Sequence, residues 1–124
     1  MTHTVVVADD DADIRSLVAL SVAKAGLTLL ASVGDGALAL AAIREHRPDL
    51  AILDVSMPEL TGLEVCRGAR EDASLSDLRI LLLSASVDEN TQAVGLAAGA
   101  DYFLAKPFSP RELVAWLAVG KEPR

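Results

Sequence analysis

The chain has 124 residues, of which 52% are hydrophobic and only 3% aromatic, and its formal net charge is −7. This length suits one compact domain rather than two, so a single domain over residues 1–124 is expected. No apolar run approaches the roughly 18 residues of a membrane span, and the acidic balance excludes the basic footprint that direct nucleic-acid binding requires.

The apolar content is mostly Ala, Val and Leu, which suits a sheet covered on both faces by small-residue helices. Cys66 is the single cysteine, which rules out an internal disulfide, and it reads as a small apolar residue on a helix. Met1-Thr2-His3-Thr4 leads into a strand without a signal-peptide pattern, so a cytoplasmic location is expected.

Thr4 to Ala8 is a short β-branched run that breaks off into Asp9-Asp10-Asp11, as a buried first strand would. Ile14, Leu17, Val18 and Ser21 follow at helical spacing, and Gly26 stands where a left-handed cap is needed, giving a helix over roughly residues 13–25. Leu27 to Ser32 reads as the second strand. Asp35-Gly36 opens an Ala-rich second helix that must stop before Pro48. Leu50 to Leu53 repeats the first pattern, an apolar run ending in an acid, Asp54. Thr61 and Glu64 have capping-box spacing, which starts a third helix running to about Arg70. Arg79 to Leu83 is the fourth strand, ending at Ser84, and the fourth helix runs from about Asp88 to Ala98, closed by Gly99. Tyr102-Phe103-Leu104 is the fifth strand, ending at Lys106-Pro107. Ser109-Pro110-Arg111-Glu112 combines an N-cap serine, a first-turn proline and a box glutamate ahead of Leu113, Trp116 and Leu117. Five βα units argue for a parallel sheet with right-handed crossovers.

Ligands of open α/β sheets bind beyond the carboxyl ends of the strands, so the residue ending each strand decides the chemistry. Those residues are Asp9-Asp10, Asp54, Ser84 and Lys106, and the strand order 2-1-3-4-5 of the flavodoxin-like winding gathers them on one edge. Each has a plainer reading: the acids after strand one can cap the next helix, and the others can be solvated loop residues. Their coincidence favours a site. Carboxylates about 4 to 6 Å apart repel by roughly 1 kcal/mol per pair in water and about 4 at an effective dielectric of 20. A hard divalent cation such as Mg²⁺, with Lys106 as a second positive charge, would relieve this. Asp54 could then act as a nucleophile towards phosphorus, with Mg²⁺, Lys106 and the Ser84 hydroxyl holding the phosphoryl oxygens.

Taken with Val7-Ala8-Asp9-Asp10-Asp11, Leu53-Asp54-Val55-Ser56-Met57-Pro58, Leu83-Ser84-Ala85 and Gly99 through Phe108, the sequence resembles the receiver domain of bacterial response regulators over essentially its whole length. The resemblance implies a three-layer (βα)5 sandwich and a phosphorylation-controlled switch of two-component signalling rather than a conventional enzyme. It implies that Asp54 accepts a phosphoryl group from a phosphohistidine on a sensor histidine kinase or histidine phosphotransfer protein. Mg²⁺ would be held by Asp10, Asp54 and the backbone carbonyl of Ser56, with Asp9 acting through water. Ser84 would be the switch hydroxyl and Phe103 the aromatic that moves with it, although core packing explains Phe103 equally well. The Lys106-Pro107 bond is expected to be cis. Asp11-Ala12, Ser56 and Ser86 depart from the commonest family pattern, and the two small serines would leave the phosphoryl group open to water and partners.

The resemblance further implies a downstream protein target, or an output domain absent from this chain, engaged through the face of helix four, strand five and helix five. A homodimer through that face is a further option. Two other functions compete: an aspartyl-phosphate phosphatase of the haloacid-dehalogenase type, whose nucleophile normally lies on strand one, and a flavin-binding module, which would need a Ser/Thr-rich loop after strand one.

Overall fold

The computed structural model describes residues 3–120. The expected domain span of 1–124 therefore includes residues 1, 2 and 121–124, which lie outside the described residues. The elements alternate as β1 (Thr4–Ala8), α1 (Ala12–Lys24), β2 (Thr28–Val33), α2 (Gly36–His46), β3 (Leu50–Asp54), α3 (Gly62–Arg70), β4 (Arg79–Ser84), α4 (Glu89–Ala98), β5 (Tyr102–Ala105) and α5 (Pro110–Gly120), with one 3-10 turn at Ala73–Leu75. The sheet is wholly parallel in the order β2-β1-β3-β4-β5, the flavodoxin-like winding that the strand ends call for.

Alternation along each strand builds the three layers. Val6, Ala8, Leu53, Ile80 and Leu82 pack on the side of α2, α3 and α4. Val5, Val7, Ile52, Leu81 and Leu83 face the opposite side, against Val18 and Val22 of α1 and Leu113 and Leu117 of α5. All residues of β3 and β4 are buried, whereas the edge strands β2 and β5 are only partly covered. Continuous apolar runs belong to the centre of such a sheet.

Helix boundaries follow their caps. Asp11 begins α1 by accepting from the N–H groups of Asp13 and Ile14, and Asp35 begins α2 by accepting from Leu38. Both capping boxes are formed, Thr61 with Glu64 and Ser109 with Glu112. Gly26 and Gly99 adopt the left-handed conformation after α1 and α4, with φ of 78° and 109°. Asp88 caps α4 from outside rather than forming its first turn, because its carboxylate accepts from Thr91. The Ala73–Leu75 turn, which the sequence pattern does not announce, closes on the Asp72 carboxylate through Ser74.

Cys66 is fully buried on α3, and burial pushes its thiol up to about 12, as suits a packing residue. Among the described residues, no helix is long and apolar enough to cross a membrane.

Candidate functional site

Parallel register places the strand ends. Ala8 is level with Leu53, so one further residue on each chain sets Asp9 beside Asp54. Ser84 is level with Ala105, so Lys106 emerges next to the end of β4. Backbone bonds lock this edge: Val55 N–H donates to Leu83 O at 3.0 Å and Lys106 N–H to Ser84 O at 2.8 Å. The Lys106-Pro107 bond is cis.

The aspartate run after β1 divides its labour. Asp11 is a cap, whereas Asp9 turns inward and is completely buried. Asp9 Oδ1 accepts from the Asp11 N–H at 2.9 Å, and its Oδ2 lies 2.9 Å from Lys106 Nζ. The same ammonium is 3.2 Å from Asp54 Oδ2. Exposed Asp10 completes the group, since one carboxylate oxygen from each of Asp9, Asp10 and Asp54 lies within 4.8 Å of the others. Asp54 is 6% exposed and its Oδ1 accepts from the Ser56 N–H at 3.2 Å.

Electrostatics follow from burial. Desolvation, followed by the charge of Asp9, raises the Asp54 pKa above its ordinary value, against the opposing pull of the Ser56 N–H and Lys106. For Lys106, desolvation works to lower the pKa, but hydrogen bonds and charge from Asp9 and Asp54 outweigh it, so the ammonium is held above its ordinary value. Lys106 thus pairs with two of the three carboxylates, Asp9 and Asp54, which leaves an oxygen-rich pocket of surplus negative charge. An all-oxygen, carboxylate-dominated donor set fits a hard divalent cation.

Ser84 is buried at the end of β4, and its Oγ accepts from the Ser86 N–H at 3.2 Å. The Ser86 hydroxyl in turn donates to Asp88, the cap of α4, so a short polar relay joins the strand end to the next helix. Phe103 is half-buried, packed against the core cluster on the α4 side of the sheet. Asp9, Asp10, Asp54 and Lys106 are thus one cluster, with Ser84, Ser56 and Phe103 on the elements around it.

Two contributors carry no motif of their own. Arg15, one turn into α1, donates from Nη1 to Asp9 O at 2.7 Å and pins the loop that presents the acids; its spacing from Asp11 on the helix is the only sequence hint. Gly62 lets α3 approach the end of β3, because a Cβ there would stand 2.4 Å from Asp54 O, and its N–H donates to Val55 O at 2.9 Å.

A doubly wound parallel sheet with an acidic pocket and Lys106 at its carboxyl edge defines a flavodoxin-like domain with an oxygen-donor site. Residues 5–118 match the family model of the response regulator receiver domain, and the chain belongs to that family. It is 41% identical over 115 residues to the DNA-binding response regulator MtrA of Mycobacterium tuberculosis, covering 93% of this chain and 49% of that protein. It is 39% identical to the phosphate regulon transcriptional regulatory protein PhoB of Pseudomonas aeruginosa, covering 92% and 49%. The chain spans about half the length of the curated relatives it matches. Among solved structures, it superposes on the chemotaxis response regulator CheY4 of Vibrio cholerae with a TM-score of 0.89 at 32% identity, covering 94% of this chain and 97% of the other. The receiver domain of the putative response regulator NarL of Mycobacterium tuberculosis gives 0.86 at 33% identity, with 97% of each covered. This membership supersedes the phosphatase and flavin-module alternatives.

Proposed function

We propose that Asp54 is the phosphoacceptor of a signalling switch, fed by a phosphohistidine on a sensor histidine kinase or a histidine phosphotransfer protein. The observation that carries this reading is the Lys106 ammonium lying within 3.2 Å of Asp54 and 2.9 Å of Asp9. A carboxylate oxygen of Asp54 attacks phosphorus, the P–N bond breaks, and the electron pair leaves with the imidazole, which takes up a proton from water. The product is an acyl phosphate on Asp54. Its hydrolysis releases inorganic phosphate and restores the carboxylate.

Asp10, Asp54 and the Ser56 carbonyl would hold Mg²⁺, with Asp9 reaching it through water. When bound, the ion neutralises phosphoryl oxygens and relieves the repulsion among the acids. Lys106 would hold a second phosphoryl oxygen and the Ser84 hydroxyl a third. Drawing the Ser84 hydroxyl towards the phosphoryl group would pull on the Ser86–Asp88 relay and so on the start of α4.

The output would be read on the face of α4, β5 and α5, by a protein partner or by an output domain joined to the receiver. Exposed Leu96 and the edge-to-face pair Tyr102–Trp116, with ring centroids 5.0 Å apart, give that face apolar contact area. The net charge of −7 supports control of nucleic-acid binding through a partner module rather than by this domain itself. A cytoplasmic location suits this role.

The test is exposure to acetyl phosphate with and without Mg²⁺, followed by intact mass measurement. Wild type should gain one phosphoryl group only with Mg²⁺, and Asp54→Asn should gain none. Labelling that survives the substitution would move the acceptor elsewhere.

A further inference from the structure

The middle of α4 is occupied by Gly95, a residue that weakens a helix interior relative to alanine. It is buried, and no turn or positive φ requires it. Space does. A Cβ at this position would stand 2.3 Å from Cζ and 2.5 Å from Cε1 of Phe103, and 3.2 Å from Leu82 Cδ1. The tip of the Phe103 ring therefore fills the volume that a methyl group would take.

Phe103 is also a wall shared by two spaces. On one side lies a cavity of about 270 Å³ bounded by Val55, Leu63, Leu82, Ser84 and Val94. On the other lies a groove of about 350 Å³ bounded by Val87, Leu96, Tyr102 and Trp116. The first space touches the residue that ends β4, and the second is part of the exposed α4–β5–α5 face.

We infer that Gly95 is a positioning residue, whose missing side chain interlocks α4 with the Phe103 ring and so couples the cavity beneath Ser84 to the groove beside Trp116. The helix cannot shift past β5 without displacing the ring. The ring cannot swing towards the groove without opening a void against the helix. This inference rests on the proposed phosphorylation of Asp54 for its functional consequence, but not for its packing.

A double-mutant cycle separates the two. Gly95→Ala should lower Tm in the wild-type background, where the methyl meets the ring. It should raise Tm in a Phe103→Leu background, where the shorter side chain leaves room and alanine is the better helix former. Trp116 is the single tryptophan, so its emission reports on the groove. After acetyl phosphate and Mg²⁺, with uptake checked by intact mass, wild type should shift its emission and Gly95→Ala should lose most of that shift at equal uptake. Equal losses of Tm in both backgrounds, or an undiminished emission shift in Gly95→Ala, would overturn the inference. A wild type that takes up no phosphoryl group would instead overturn the proposed function, and the Tm cycle would still decide on Gly95.

Discussion

Lys106 Nζ stands 2.9 Å from Asp9 Oδ2, although the two residues follow strands separated by β3 and β4 in the sheet. The ammonium thus spans the carboxyl edge and neutralises a fully buried aspartate. Removing one member of a buried pair strands the other. Lys106→Met should therefore destabilise the fold by about 2 kcal/mol, below the roughly 3–5 kcal/mol of a fully buried pair because Lys106 keeps 22% exposure. Urea unfolding at neutral pH measures this. Because its folded pKa is raised, the Lys106 contribution is complete below the ordinary value of 10.5 and is lost as pH rises through the raised one. Wild type and Lys106→Met should accordingly converge in strongly alkaline solution.

Asp54 carries the opposite burden. A carboxyl whose folded pKa is raised favours the fold below its ordinary value of 3.8 and opposes it increasingly as pH climbs through the raised value. In metal-free buffer at pH ~7, Asp54→Asn should raise Tm, because the amide removes a charge that burial and Asp9 disfavour. The gain should shrink as pH falls towards about 4. A lower Tm for the variant at neutral pH would contradict this account.

At the opposite end of the strands, Asp101 Oδ2 accepts from Arg70 Nη2 at 2.9 Å and from the Ile80 N–H at 2.8 Å. Asp101→Ala removes an acceptor from a buried backbone N–H and a partner from a part-buried guanidinium, at a cost of about 2–3 kcal/mol. Asp101→Asn keeps the Ile80 acceptor and should lose roughly half as much. Chemical denaturation tests both, while phosphodonor labelling at the distant site should be unchanged.

Glu59 holds φ at 71° in the loop after β3, with the Leu60 N–H donating back to Pro58 O at 2.8 Å. A left-handed backbone costs a side-chain-bearing residue roughly 1–2 kcal/mol, partly offset by the extra freedom glycine brings to the unfolded chain. Glu59→Gly should stabilise the protein by about 0.5 kcal/mol net, whereas Glu59→Ala should not. Thermal melts of the two variants distinguish backbone strain from loss of the carboxylate.

Ser56 and Ser86 are both exposed small residues near the proposed acceptor. Replacing both with bulky side chains should lengthen the acyl-phosphate lifetime several-fold by obstructing water. Decay of the phosphorylated mass after removal of the donor gives the lifetime directly, and an unchanged decay would show that these positions do not control access.

The strand ends were legible in the sequence because burial on both faces makes each central strand a short apolar run, and the first polar residue after it marks the edge. Asp9, Asp54 and Ser84 follow that rule, Lys106 ends the short apolar run of the edge strand β5, and the caps at Thr61 and Ser109 follow from spacing alone. What spacing does not encode is contact between elements. Arg15 reaches Asp9 O through a helix turn that any surface arginine would share, and Arg70 braces Gly99 and Asp101 from a position that reads as a solvated helix end. The register shift between Val5 and Val6 on β1 likewise depends on how β2 docks. Gly95 did leave a trace, a glycine inside an Ala-rich helix, but its partner Phe103 is identifiable only in three dimensions.

The parallel winding has a consequence for biosynthesis. Asp9 enters the chain early and Lys106 late, and no contiguous stretch contains both an acid of the cluster and its counter-ion in place. During translation the acids emerge first, and Lys106, the counter-ion of Asp9 and Asp54, follows β5, after every other strand has been made. Until Lys106 has left the ribosome and β5 has docked on β4, a nascent chain holds these acids without their ammonium, so under the proposed function competence to respond would arrive in one step with completion of the sheet.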